Sequence, residues 1–371
     1  MEIKIVRNEL LDGLNKIQTV VEKKSTMPII SNVLLDVLDD RLNLIATDLE
    51  VGMRTEHNAE VVKKGKITVP ARKLYEMVRE IPGSHITIKE KEVGRINVSS
   101  GKIIYTLVGL PAEQFPLVPL YEDVKTIEIL SKTIKDLINK TIFSVSFDDT
   151  RFNLAGIYIE KIVQEDKEIM RMVSSDGHRL SLMEKDVPGI NSLEIDSGVI
   201  LPRKGAREIL KLCENTEKIL LGLKEDICVV EANKTKIVTR LIDGEFPDYR
   251  TIIPAEGKKK IFIERQFFLD VLRRTSILST DKYKAVSFNF SKGKIEVLSV
   301  NPDIGDAREE LEIEYEGDIF SINFNISYLM EVIGALESNK IAIEFENETN
   351  PCLIKGTEEE GFLGIIMPMR V

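Results

Sequence analysis

Apolar positions along this 371-residue chain follow two nested periods. At short range the spacing alternates between helical and extended in a fixed order. Leu10, Leu14, Ile17 and Val21 fall on one helical face, as do Ile134, Leu137, Ile138 and Thr141. Alternating, β-branched stretches come next, at 32–37, 152–159 and 285–290. Second helices begin near Ala71, Arg203 and Ile326, and further strands come after each of them. The pairs Asp39-Asp40, Lys292-Gly293 and Glu316-Gly317 supply turns. At long range the whole order recurs about every 125 residues. Ile3 and Ile5 precede Leu10, Asp12 and Leu14. Ile127 and Ile129 precede Ile134, Asp136 and Ile138 with the same offsets, and Ile261 and Ile263 precede Phe268, Asp270 and Leu272 likewise. Mid-repeat, a strand runs into a polar corner at Asp48, Asp176 and Asn301. An extended step ending in Pro70, Pro202 or Asn325 then feeds the second helix.

The pattern predicts an α+β protein made of three tandem copies, each with two helices packed on antiparallel sheet. The copies span 1–122, 123–256 and 257–371, with polar turn stretches at 119–123 and 254–257 as joints. Tripling a unit of this size points to a symmetric assembly.

No stretch of 18 apolar residues exists, and the start of the chain lacks the basic and apolar runs of a signal peptide, so a cytoplasmic protein is expected. Cys213, Cys228 and Cys352 are too few and too scattered for a disulfide framework or a zinc site. Charged residues make up 30% of the chain, with Glu and Lys dominant. Ion-pair networks at high temperature and biased base composition both account for that. The net charge is -10, yet of the six helical segments 7–24, 70–81, 130–140, 202–213, 264–275 and 324–337 the first five are net basic. The six together carry +6, which leaves -16 elsewhere. Arg203, Arg207 and Lys211 recur at i, i+4 and i+8, and Lys132 and Lys135 at i+3. Cations gathered on one layer of an acidic protein suit a polyanion held at one surface and repelled from the others.

Two other classes compete. Asp176-Gly177-His178-Arg179 and the pair Asp148-Asp149 contain the residue types of a metal-dependent hydrolase. Against that, the chain has only three histidines (His57, His85 and His178) and no HExxH, P-loop or GxSxG pattern. Asp48, at the position equivalent to Asp176, favours a turn-capping role for both. A protein-binding scaffold that never meets a polyanion is the third class.

Five motifs carry a resemblance over the full length. They are Thr68-Val-Pro-Ala-Arg-Lys73, Ser175-Asp-Gly-His-Arg-Leu180, Leu201-Pro-Arg-Lys-Gly205, Asp243-Gly-Glu-Phe-Pro-Asp-Tyr-Arg250 and Met367-Pro-Met-Arg-Val371. In this order and spacing the chain resembles the bacterial DNA sliding clamps, the beta subunits of DNA polymerase III. The resemblance implies a non-catalytic processivity factor with no cofactor and no metal. It implies a homodimeric ring around double-stranded DNA, lined by helices. Twelve helices ~10 Å apart give a circle of ~38 Å diameter and, less one helix thickness, a bore of ~28 Å. Residues matching the family's DNA contacts are Lys24, Arg72, Phe152, Asn153, Arg203 and Lys204, with Phe152 and Asn153 where the family often has two tyrosines. Polymerase and clamp-loader subunits, and other polymerases and repair proteins, are implied to insert short linear peptides into one pocket. Its residues would be Leu154, Ser175, Gly177, His178, Arg179, Leu180, Pro247, Thr251 and Ile252, walled by Ile365, Met367, Pro368, Met369 and Arg370. Val371 stands where the family commonly ends in Leu. Tyr105 and Leu107 of one chain are implied to meet Ile277 and Leu278 of the other.

Overall fold

The computed structural model describes residues 1–21, 27–119, 121–148, 150–164, 167–254, 259–280 and 282–370. Six helices are described: α1 (Arg7–Ile17), α2 (Ala71–Glu80), α3 (Ser131–Asn139), α4 (Arg203–Leu212), α5 (Arg265–Thr275) and α6 (Ile326–Ala335). Each copy runs strand, helix, four strands, helix, three strands, and the first adds a short strand at Glu60–Lys63. The expected helices all form. The first stops at Ile17, short of the expected 24, where Thr19 turns its hydroxyl onto the Lys16 carbonyl and the buried Glu208 carboxylate. Without residues 18–24 it carries no net charge, so four helices rather than five are net basic.

The antiparallel sheets are shared between copies. Two compact units divide the chain, and copy two contributes to both. In the first unit an eight-stranded antiparallel sheet joins four strands of copy two to four of copy one, through Thr235–Arg240 paired with Val51–Asn58. Copy one's remaining strands form a five-stranded sheet ending in Ile103–Val108. In the second unit an eight-stranded sheet joins copies two and three through Phe362–Ile366 paired with Arg179–Asp186. A four-stranded sheet ends in Gly305–Glu312. Apolar periodicity defines which face of a strand is buried, whereas the partner beyond an edge leaves no mark on it.

The helices pack by the faces their spacing predicts. Leu10, Leu14 and Ile17 of α1 are buried and meet α2, whose Leu74 and Val78 are buried in turn. Each such leucine contributes about 1.5–3 kcal/mol. In the second unit Phe268 of α5 lies 6.0 Å from Phe288, which lies 5.9 Å from Phe324. The expected strand at 152–159 begins only at Gly156. Before it, Leu154 and Ala155 donate to the carbonyls of Arg151 and Phe152, so those amides close a 3-10 turn instead of a ladder.

The seam within the first unit holds a buried polar chain. Thr235 donates to Thr55 across the seam (3.3 Å), and Thr55 Oγ1 lies 3.1 Å from His57 Nε2. Gly13 lets α1 settle on this imidazole, since a Cβ there would stand 2.2 Å from Nε2. Burial pushes His57 below its ordinary value of 6.5, outweighing the pull of Glu9 and Asp12. The folded protein thus resists the proton that the unfolded chain accepts. The stability due to a neutral His57 is complete above pH 6.5 and declines as pH falls below it. Urea midpoints at pH 7.5 and 5.5 should therefore differ more for the natural protein than for His57→Gln. Equal differences would remove His57 from the acid response.

Candidate functional site

In the second unit three segments converge on the corner at Ser175–Leu180. The corner is an aspartate-capped turn: Asp176 Oδ1 accepts from the amides of His178 and Arg179, both at 3.0 Å, and Gly177 takes φ +86. Ser175 Oγ donates to the Arg179 carbonyl at 2.7 Å and accepts from the Gly177 amide at 3.1 Å. The same chemistry recurs where the repeat predicts it. Asp48 Oδ1 accepts from the amides of Glu50 and Val51 (3.0 and 2.7 Å), and Asn301 Oδ1 from that of Asp303 (3.1 Å). Asp176 is therefore a turn cap.

The first converging segment is the C-terminal tail. Arg179 pairs with Ile366 and Leu180 with Ile365, after which the Met367 amide donates to the His178 carbonyl (2.8 Å) and the Met369 amide to that of Asn323 (2.7 Å). Leu180 and Ile365 are buried with Val173, Leu182, Leu353 and Tyr249. Above them Met367 and Met369 remain 37% and 36% exposed, with Arg370 exposed and Pro368 half-buried. Tethered by backbone but bare in their side chains, the methionines form an adaptable apolar rim.

The second segment is 246–252. Phe246 stacks on Tyr158 at 4.9 Å, and Tyr249 lies buried with its hydroxyl between Glu160 and Arg171, 2.7 Å from Arg171 Nη1. Glu160 also holds Arg250 (2.7 Å). With this frame fixed, Pro247, Thr251 and Ile252 stay at the surface. The third segment is the turn at Phe152–Leu154. Leu154 is buried there, and Arg151 reaches from its N-terminal side to donate to the Asp176 carbonyl (3.1 Å). A Cβ on Gly177 would lie 2.4 Å from that guanidinium.

One expected pocket residue does different work. Arg179 is 6% exposed, and its guanidinium binds Asp176, Glu331 of α6 and the Phe143 carbonyl while lying 4.3 Å from the Tyr328 ring. It ties copy two to copy three and offers no free head group. The frame residues Glu160, Arg171 and Tyr158 were not among the expected site residues, because nothing in an alternating strand distinguishes a supporting charge from a solvated one.

The residues matched to DNA contacts fall in both units. Lys24 lies outside the described residues, as do Asp149 and Val371. Arg72 is exposed on α2 and pairs with Glu76 (3.2 Å). Lys204 pairs with the buried Asp48 carboxylate. The Arg203 guanidinium lies 3.5 Å from the centre of the Phe147 ring. Phe152 is 58% exposed, and Asn153 donates to the Glu245 carbonyl (3.1 Å). Of the residues matched to a chain–chain contact, Tyr105 and Leu107 lie on the outer strand Ile103–Val108, with Leu107 itself buried and Ile104 and Val108 bare. Ile277 is 76% exposed in the turn after α5, beside Leu278.

Among the described residues no group of three or more His, Cys, Asp or Glu could hold a metal ion, and no helix is long and apolar enough to cross a membrane. All three cysteines are buried, and burial pushes the Cys228 thiol up to about 12.

Family models describe three successive parts of the chain. Residues 1–119, 128–248 and 250–370 match the N-terminal, central and C-terminal domains of the DNA polymerase III beta subunit. The chain belongs to that family. The beta sliding clamp of Caulobacter vibrioides is 33% identical and that of Pseudomonas putida 32%, each over the whole of both chains. The crystal structure of the DNA polymerase sliding clamp from Caulobacter crescentus superposes with a TM-score of 0.95 at 32% identity, covering both chains fully. That of the beta subunit from Thermotoga maritima gives 0.89 at 28%, covering 100% and 99%. The beta-subunit family is a processivity clamp and a non-catalytic part of the polymerase, so the hydrolase alternative falls. A bound member is also known: the clamp of Bartonella birtlesii carries griselimycin, with a TM-score of 0.94.

The frame beneath the tail has its own test. Burial first, then the hydrogen bond to Glu160, pushes the Tyr249 phenol up to about 12. Its contribution to stability is complete below the ordinary value of 10.0 and is lost as pH rises from there to about 12. Ultraviolet titration of the natural protein against Tyr249→Phe should assign one phenol to the higher range. The variant should lose about 1–3 kcal/mol at neutral pH, the worth of a hydrogen bond to a charged group.

Proposed function

We propose that two copies of this chain close head to tail into a cytoplasmic ring around double-stranded DNA. The ring would tether DNA polymerase III subunits, other polymerases and repair proteins by peptides seated at the tail and corner. The observation that carries the reading is how the chain joins its own copies. In both seams the last strand of one copy pairs with the strand that leaves the preceding copy's corner. Copy one's last strand, Ile103–Val108, and the strand that leaves copy three's corner, Gly305–Glu312, both end their sheets. They are the two halves of a third seam, and a second chain completes it twice.

The repeat also supplies the register. Thr239 and Ile366 sit opposite Cys228 and Cys352 in their hairpins and pair across the seams with Val51 and Arg179. Leu107 occupies the same hairpin position, opposite Ile96. Val51 and Arg179 each precede the residue that pairs back to the start of the corner, as Gly52 does to Thr47 and Leu180 to Ser175. In copy three that residue is Asp306, paired with Val300, so Gly305 precedes it. Leu107 should therefore face Gly305 of the second copy, and Thr106 its Asp306. The exposed Ile277 and the half-buried Leu278 would add apolar contact beside this ladder.

Native mass, with retention on nicked circular but not linear DNA, tests the ring. Thr106→Cys combined with Asp306→Cys should cross-link into covalent dimers on mild oxidation, because the natural cysteines are buried. Ile277→Ala with Leu278→Ala should give folded monomers at micromolar concentration. A dimer that neither cross-links nor weakens would exclude this seam.

Peptide docking has a separate test. Deleting residues 367–371 removes the two bare methionines, each worth about 1–3 kcal/mol when covered. Client-peptide affinity, read by fluorescence anisotropy, should fall more than tenfold. The dimer mass should be unchanged, because the seam strands lie elsewhere.

A further inference from the structure

We propose that a cavity in the first seam binds a short-chain carboxylate through Lys16 of α1. The inference is independent of the ring reading and comes from comparing the two seams within the chain. The cavity has a volume of about 170 Å³ and lies between α1, α4 and the hairpin turn at Asn233. The second seam shows what belongs in this place. There the hairpin between Cys352–Gly356 and Phe362–Ile366 turns through five residues, 357–361, whereas the hairpin of the first seam turns through Asn233 and Lys234 alone. The longer turn carries Glu359 into the joint. One Glu359 oxygen accepts from the Glu337 amide (2.9 Å), and the other meets the Lys140 ammonium. Lys140 also holds Asp136 (3.1 Å), so it divides its three donors between two carboxylates.

Lys16 and Asp12 are the counterparts of Lys140 and Asp136, and their pair persists at 2.6 Å. The two-residue turn brings no second carboxylate to Lys16, whose side chain is 33% exposed against 5% for Lys140. A cavity thus stands where the other seam places an acid. Like charges do not bar an acid from it. Asp12, Glu208 and Glu214 line the cavity, yet Glu359 enters a joint that carries their counterparts Asp136, Glu331 and Glu337. The first seam also adds a cation, Lys211, where copy three has Gly334. The buried Met53 and Leu212 supply apolar wall, with Met53 standing where copy two has Ser181. An apolar wall beside an ammonium suits the aliphatic chain of a small acid better than it suits a phosphate, which needs polar partners on every side.

The probe is butyrate, titrated at constant ionic strength into the full-length protein labelled at its methionine methyl groups for nuclear magnetic resonance. The Met53 signal, assigned by its loss in Met53→Leu, should shift saturably, and uncharged butyramide should leave it in place. Lys16→Gln should weaken butyrate about tenfold, as expected for one charge-assisted hydrogen bond. Replacing Asn233-Lys234 by Thr-Glu-Glu-Glu-Gly, the turn of the second seam, should abolish the response, because the chain then brings its own acid. The melting temperature of each variant checks that it folds. N-acetylglutamate amide separates two sources of the carboxylate: binding tighter than butyrate assigns the site to an acidic side chain of another protein, and weaker binding assigns it to a free acid. No saturable shift of Met53 with either carboxylate overturns the site. So does an equal shift with butyramide, or undiminished butyrate affinity in Lys16→Gln.

Discussion

Backbone pairing across the boundary between copies is the interaction on which the rest of the structure depends. A strand leaving its corner exposes a row of amides and carbonyls that must find partners, and a copy cannot supply them from its own strands. The next copy does, in the same register at both seams. Such bonds take no account of side-chain identity. Three copies can therefore diverge until only turn residues and apolar spacing betray their kinship, while the joint between them persists. Side chains then lock each joint in their own way. In the first, Lys204 binds the buried Asp48 and Glu208 takes the Thr19 hydroxyl. In the second, Glu331 holds Arg179. Glu208 and Glu331 stand at the same position of α4 and α6, six residues past Pro202 and Asn325, so copies two and three each spend one carboxylate on the preceding copy.

For a clamp that slides, cations must be available without being adhesive. Here many are already paired: Arg72 with Glu76, Lys211 with Glu208, Lys204 with Asp48. A phosphate approaching such a cation trades one ion pair for another, so the net gain is small and easily screened by salt. The basic character that stands out when whole helices are counted is thus weaker in three dimensions. It is weakest at α1, which ends before the lysines that made it basic.

The sequence made the copies, their element order and the corner chemistry legible, because each depends on local spacing and turn residues. Asp48, Asp176 and Asn301 announce a capped turn in any context, and Leu10, Leu14 and Ile17 announce a buried helical face. Long-range pairing was not legible. Nothing in Val51–Asn58 says that Thr235–Arg240 will lie beside it, since a ladder is made of atoms every residue shares. The candidate site was legible as a set of motifs but not as a mechanism of support. Arg179 reads as a pocket cation beside a glycine turn, and only its bonds to Glu331 and Phe143 reveal it as a joint.

Three similar corners yield a single candidate pocket because their symmetry is broken at two points. At the left-handed position copy two has Gly177, φ +86, whereas copy one has Leu49 at φ +78. A leucine held there costs about 1–2 kcal/mol and fills the space above the turn with its side chain. Glycine leaves that space to the Arg151 guanidinium, which links the corner to the turn at Phe152–Leu154. The second break lies just past the seam strand. After Thr235–Arg240 the chain continues into the next copy, so residues beyond that seam are committed to a linker. After Phe362–Ile366 the described chain has only its tail left, anchored by the Met367 and Met369 amides with both side chains bare. A capped turn with room above it and an apolar edge with nothing further to cover it coincide once among the described residues, at the joint of copies two and three. The candidate pocket thus arises where the repeat departs from itself, while the seams within the chain arise where it does not.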